Sequence, residues 1–246
     1  MPGTRLNKYI ASSGLCSRRK ADELIESGVV QVNGKKVTEL GYSVQNKDKV
    51  FVNGKIIHPV KHEYYRFYKP AGYITTSDDE KGRKTIYDLL PEKLAGLKPV
   101  GRLDKDSTGL LILTNDGDLI NALTHPSVKV PKVYMVTVNA QVTRAELEQM
   151  ANGIEIEPNK VAYADIQVLE IDSKHTEMQI TLYQGMNRQI RKMFEHFGYE
   201  VKVLKRVRHA TLSLEGLRRG EFKPIKPAQI KELNLCRLYR FEFSTT

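Results

Sequence analysis

The 246-residue sequence predicts an α+β fold in two parts. Helical and strand-like segments follow one another without the steady βαβ rhythm of a doubly wound sheet. Two Asn-Gly pairs, Asn33-Gly34 and Asn53-Gly54, mark tight hairpins inside the first 60 residues. A proline- and charge-bearing stretch without periodicity, residues 58–65, then sets that small module apart from the rest. The predicted units are 1–60 and 61–240.

The elements follow in order. Leu6, Tyr9 and Ile10 recur at helical spacing, and after Gly14 a second helix begins near Ser17, carries Ala21, Leu24 and Ile25 on one face and stops at Gly28. Arg18, Arg19 and Lys20 occupy its first turn, where cations oppose the helix dipole, an arrangement suited to a phosphate among them. Strands at Val29–Val32, Lys35–Val37, Val50–Val52 and Lys55–Ile57 flank the two turns. In the second unit, Tyr65–Tyr73 reads as a strand ended by a Pro/Gly turn, Asp78–Arg83 as an exposed loop and Thr85–Leu90 as a short helix. Further helices are expected at Asp118–Leu123, at Thr143–Ala151 from a capping box, along Asn187–Phe197, and near Pro227–Leu233. Strands are expected at Leu110–Leu113, at Lys132–Val138 with Tyr134, Val136 and Val138 on one face, and at Val161–Ile171, Glu177–Tyr183, Val201–Arg208 and Thr211–Leu214.

Charge narrows the function. The net charge of +10 favours a polyanionic partner. It is spread unevenly: +5 over residues 1–60, −3 over 61–180 and +9 over 181–240, which suggests two separate basic surfaces. No apolar run approaches a membrane span and the N-terminus lacks a signal-peptide core, so the expectation is a cytoplasmic protein without membrane contact. Cys16 and Cys236 are far apart and read as free thiols; the six histidines form no ligand pattern, so no metal is expected.

One stretch has the form of a site. Residues 101–109, Gly-Arg-Leu-Asp-Lys-Asp-Ser-Thr-Gly, break regular structure at both ends and run into the apolar Leu110–Leu113. A buried strand there anchors the loop and presents a carboxylate in a fixed place. Asp104 is the residue of choice, although from spacing alone Asp104 and Asp106 read as turn residues. Arg188 and Arg191 lie three apart in the helix that carries Ile190, Met193, Phe194 and Phe197, and so share a face, which is solvated or binds an anion.

The first module, through Arg5–Ile10, Ser17–Asp22 and Val30–Gly34, resembles the αL RNA-binding module of a small-subunit ribosomal protein. The second unit resembles the pseudouridine synthases of the RsuA/RluB/RluF group, which isomerise uridines in ribosomal RNA. Three motifs carry that resemblance: Gly101–Asp104 with Ser107–Leu110, Lys132–Val136, and Gly185–Phe194. It implies a catalytic domain on a mainly antiparallel mixed sheet with flanking helices. It also implies that Asp104 is the catalytic aspartate, that Tyr134 packs on the target base, and that Arg191 pairs with Asp104. Arg5, Lys8, Arg18, Arg19, Lys20 and Lys35 of the first module, with Arg102 and Arg188 of the second, are the expected RNA contacts, and Arg102 is a candidate to fill the space a flipped nucleotide leaves or to touch phosphate. Whether Asp104 attacks the sugar, attacks the base or removes a sugar proton stays open.

The implied partner is ribosomal RNA or a ribosomal particle, acted on by a monomer. No cofactor is expected, because an isomerisation needs no redox equivalents and no Gly-rich nucleotide loop is present. His209-Ala210 is nearer the RluF-like branch and Leu123–Pro126 the RluB branch, which leans towards large-subunit RNA. Two other readings are weighed. A glycoside hydrolase would use Asp104 with Asp106 and need one raised pKa. A ribosome-assembly protein would bind RNA without catalysis.

Overall fold

The computed structural model describes residues 3–77 and 79–235; Asp78 of the expected loop and Cys236 lie outside them. The chain divides into two units, one ending at Glu63 and one starting at Tyr64.

In the first unit, Thr4 and Arg5 pair with Ser43–Val44 as a short strand, so the first helix, α1, starts only at Leu6 and runs to Ser12. Helix α2 spans Arg18–Glu26, with the Ser17 hydroxyl accepting the Lys20 amide (3.2 Å), a cap that contributes about 1 kcal/mol. Leu6, Ile10, Ala21 and Ile25 are buried against Val30, Val32, Val50 and Val52 of a four-stranded antiparallel sheet. Both hairpins turn at Asn-Gly pairs with positive φ at each residue (52° and 80°; 51° and 74°), the geometry that matches strand twist.

The second unit is organised on one sheet. Its main strands are β1 (Tyr64–Lys69), β2 (Thr108–Thr114), β3 (Lys132–Val138), β4 (Asp165–Ile171), β5 (Thr176–Leu182), β6 (Val201–His209) and β7 (Phe222–Pro224). They lie in the order β4-β5-β3-β6-β2-β1-β7, with Lys98–Pro99 added on β2 and Leu212–Ser213 on β6. Every pairing is antiparallel except β6 with β2, so the sheet is mixed and mainly antiparallel, as the resemblance implied. Helix α3 (Gly117–Thr124) is capped by Asp116, whose carboxylate accepts the amides of Asp118 and Leu119 at 3.0 Å. Helix α4 (Arg144–Asn152) starts with the Thr143/Glu146 capping box. Alternation along β3 and β5 buries Tyr134, Val136, Val138, Met178, Ile180 and Leu182. Against them pack Met150 of α4 and Ile190, Met193 and Phe194 of α5 (Gln189–Glu195). Helix α6 (Pro227–Leu235) follows β7 and buries Leu233.

Two expectations are corrected. The strand expected over 161–171 is two: Lys160–Ala162 pairs with Ile154–Glu157, and the main-sheet strand starts at Asp165. Between them the Tyr163 amide donates to the Gln184 side chain and the Ala164 amide to the Met150 carbonyl, which takes both out of the ladder. The helix expected from Asn187 starts at Gln189, because Arg188 adopts left-handed φ/ψ (52°, 33°) ahead of it.

At the β2–β6 junction two backbones come into close approach. Gly109 has φ +113°, and a Cβ there would lie 2.2 Å from the Arg206 carbonyl oxygen and 2.6 Å from its nitrogen. Backbone cannot yield as a flexible side chain would. Gly109→Ala is therefore expected to destabilise the protein by about 3 kcal/mol or more, read as a lowered urea midpoint or loss of folded protein.

Candidate active site

The 101–107 loop is held from below by Lys69, the last residue of β1. Its side chain is fully buried, and its ammonium donates to four carbonyl oxygens: Ser107 (2.8 Å), Asp104 (3.0 Å), Pro70 (3.0 Å) and Lys105 (3.2 Å). Burial pushes its pKa down to about 8, while the carboxylates of Asp104 and Asp106 pull the other way. The Thr75 hydroxyl clasps Leu103 twice, donating to its carbonyl (2.8 Å) and accepting its amide (3.2 Å). The Gly72 amide donates to the Lys105 carbonyl (2.8 Å). The backbone on both sides of Asp104 is thus fixed by the 69–75 segment. In sequence, Lys69 ends a strand beside a proline and carries no mark of this role; only its burial among carbonyls reveals it.

Asp104 is half-buried and lines a cavity of about 730 Å³. Tyr134, 9% exposed, lines it too, as do Arg102, Arg188, Lys132, Arg206 and His209. Among the described lining residues Asp104 is the sole acid. Asp106 is exposed and not part of the lining, so the two-carboxylate arrangement of a glycoside hydrolase is not built here.

Arg191 departs from expectation. Its Nη1 donates to the Val201 carbonyl (2.9 Å), its Nε is buried without a partner, and it forms no ion pair with Asp104. It does not line the cavity, whereas Arg188, in the left-handed turn ahead of the helix, does. Arg188 lies 3.6 Å from Glu195. Besides Arg102 and Arg188, a third guanidinium lines the cavity with Asp104: the buried Arg206, which the basic pattern of β6 did not single out.

A β-bulge decides which β6 residues face inward. Tyr134 pairs with Arg206 and Lys132 with His209, and the irregularity between Val133 and Tyr134 leaves Val207 as the extra residue. Simple alternation would have put Arg208 level with Arg206. Burial, then Arg206 and Lys132, hold the His209 pKa well below its ordinary value, so the ring is neutral; Leu123 opposes the shift without making a hydrogen bond of ordinary geometry. Burial and the Arg206 charge bring Lys132 down to about 8, and its ammonium donates to Val130 O (3.0 Å).

In the first unit Arg5, Arg18, Arg19, Lys20 and Lys35 are exposed and Lys8 is half-buried. Lys20 is paired with Glu23 at 2.6 Å. This leaves an open basic surface on the two helices and the first hairpin.

Fold and site together define an RNA-modifying isomerase carried with an RNA-binding module. Residues 63–196 match the family described as RNA pseudouridylate synthase, and residues 4–50 match the S4 domain. The chain belongs to the RsuA/RluB/RluF family of pseudouridine synthases. It is 42% identical over 231 residues to the ribosomal large subunit pseudouridine synthase B of Bacillus subtilis (strain 168), covering 93% of this chain and 95% of that one. To the dual-specificity RNA pseudouridine synthase RluF of Escherichia coli (strain K12) it is 40% identical over 232 residues, 93% of this chain and 78% of the relative. Among solved structures, a pseudouridylate synthase crystal structure superposes with a TM-score of 0.68 at 28% identity, over 94% of this chain and 99% of that one.

Two measurements check the electrostatics. Lys69→Met leaves four carbonyls without their donor and is expected to cost about 2–4 kcal/mol in urea unfolding, with activity lost in whatever folds. Lys132 has a folded pKa of about 8, below the ordinary 10.5, so the fold sheds this proton before the unfolded chain does. Its destabilising effect is full below pH 8 and is relieved as pH rises towards 10.5. Lys132→Met is accordingly expected to raise stability at pH 7 by about 1 kcal/mol, net of the bond to Val130, with the gain shrinking by pH 10.

Proposed function

We propose that the enzyme converts a specific uridine of large-subunit ribosomal RNA to pseudouridine, with Asp104 as the reacting carboxylate. The cavity that brings Asp104 and Tyr134 together, without a second acid, is the observation that carries this reading. Breaking the C1′–N1 bond leaves a sugar short of electrons, which a carboxylate stabilises or bonds to. The Tyr134 ring offers a stacking surface for a base taken out of its helix, offsetting part of the few kcal/mol that extrusion costs. Arg102, exposed at the cavity rim, suits a role in filling the vacated space. The basic first unit would hold neighbouring RNA through phosphate contacts, which position without reading sequence. The B. subtilis relative, a large-subunit pseudouridine synthase matched over 95% of its length, favours the large subunit.

Tritium release from ribosomal RNA labelled at uracil C5 tests this directly, because C5 loses its hydrogen on joining the sugar. RNA from a strain lacking the protein is the substrate, and mapping the modified position identifies the target. Asp104→Asn is expected to lower the rate at least about 10³-fold while RNA binding is kept. Turnover by this variant at the wild-type rate would remove Asp104 from the mechanism, and release confined to small-subunit RNA would overturn the target.

A further inference from the structure

The floor of the cavity holds positive charge that the protein does not balance. Arg206 is 2% exposed and His209 fully buried, and both line the cavity with Lys132. Arg206 Nε donates to the Leu110 carbonyl (2.7 Å), but its Nη2 is buried without a partner, as are both ring nitrogens of His209. Among the described residues no carboxylate forms an ion pair with Arg206 or Lys132. A buried guanidinium without a countercharge opposes folding unless something of opposite sign meets it. In this enzyme that charge can arise during the reaction itself.

The register places the cluster against the base. Tyr134 and Arg206 are direct antiparallel partners, as are Lys132 and His209, and direct partners share a face of the sheet. Arg208, on the opposite face, lines a separate hollow with Val133 and Lys205. A ring lying on Tyr134 therefore has the Arg206 guanidinium beside it.

Uridine enters neutral. When the C1′–N1 bond breaks, its electron pair goes to N1 and spreads to O2 and O4, leaving the uracil ring anionic. C5 then returns a pair to C1′, releases its proton to a base, and N1 takes one up, so atoms and charge balance in the isomer. If Asp104 adds to C6 of the base instead, the displaced pair reaches O4. If it removes a sugar proton, the base again departs as an anion. Each route open to Asp104 makes the ring negative midway, and donors fixed where charge develops act most strongly in a site closed to water.

We propose that Arg206, assisted by Lys132, donates hydrogen bonds to a carbonyl oxygen of the uracil ring as it acquires this charge, which makes Arg206 a catalytic residue. The proposal rests on the reading in which the target base lies on Tyr134 near Asp104.

The test compares single-turnover rates of wild type and Arg206→Gln on the modified ribosomal RNA segment made with uridine or with 5-fluorouridine at the target. Fluorine withdraws electrons, so the ring holds negative charge more readily and depends less on the guanidinium. It also blocks proton loss at C5, so consumption of the target nucleoside is followed by chromatographic separation of nuclease digests with mass spectrometry, the isomer sharing the mass of uridine. Arg206→Gln is expected to slow uridine consumption about a hundredfold or more, and 5-fluorouridine consumption by about tenfold less than that. Arg206→Lys, which keeps a charge, is expected to recover part of the uridine rate. Equal losses on both substrates, or no loss on uridine, would overturn the proposal and leave Arg206 a strand tie. Wild-type turnover by Asp104→Asn would instead sink the underlying site reading.

Discussion

The close crossing of Gly109 and Arg206 is the constraint on which the catalytic unit depends. It is the one parallel pairing among the described strands of this otherwise antiparallel sheet, and it joins the half built on β3, β4, β5 and β6 to the half built on β1, β2 and β7. Only a residue without a side chain allows the two backbones to come so near. Once they do, Arg206 reaches the Leu110 carbonyl and the chain before β2 emerges at the cavity wall. Asp104 and Arg206, 102 positions apart in sequence, then share one cavity because their strands meet at this junction.

Lys69 does for the loop what Gly109 does for the sheet. Four carbonyls converging on one ammonium hold backbone that is neither helix nor strand, and they do so with a residue that burial would otherwise neutralise. In the reaction proposed for Asp104 this rigid backbone matters, since small misplacements of a reacting group cost rate steeply. The same unit accepts an unpaired guanidinium and a lowered-pKa lysine at the cavity floor, trading stability for charge at the site. Such compromises cluster where function is performed.

Much of this was legible from the residues. Asn33-Gly34 and Asn53-Gly54 announce their hairpins because few residues other than glycine and asparagine accept positive φ readily. Thr143 with Glu146 announces a helix start, and alternation along Lys132–Val138 announces which side chains are inside. The loop carrying Asp104 stood out for its flanking glycines and the apolar run behind it. Less legible were the break at Tyr163–Ala164 and the delayed start of α5, because each is set by hydrogen bonds or a left-handed turn outside any periodic pattern.

By itself the sequence determined most of the local structure and the α+β class, which follow from side-chain type and short-range spacing, and its three motifs marked the family and the loop that carries Asp104. Only the tertiary structure decided which buried cations line the cavity with Asp104. A single bulge turns His209 inward and Arg208 away, and the β2–β6 crossing brings Arg206 into the cavity while Arg191 is taken up by Val201. Register and burial are properties of strands meeting across long stretches of chain, and a spacing of three residues cannot encode them.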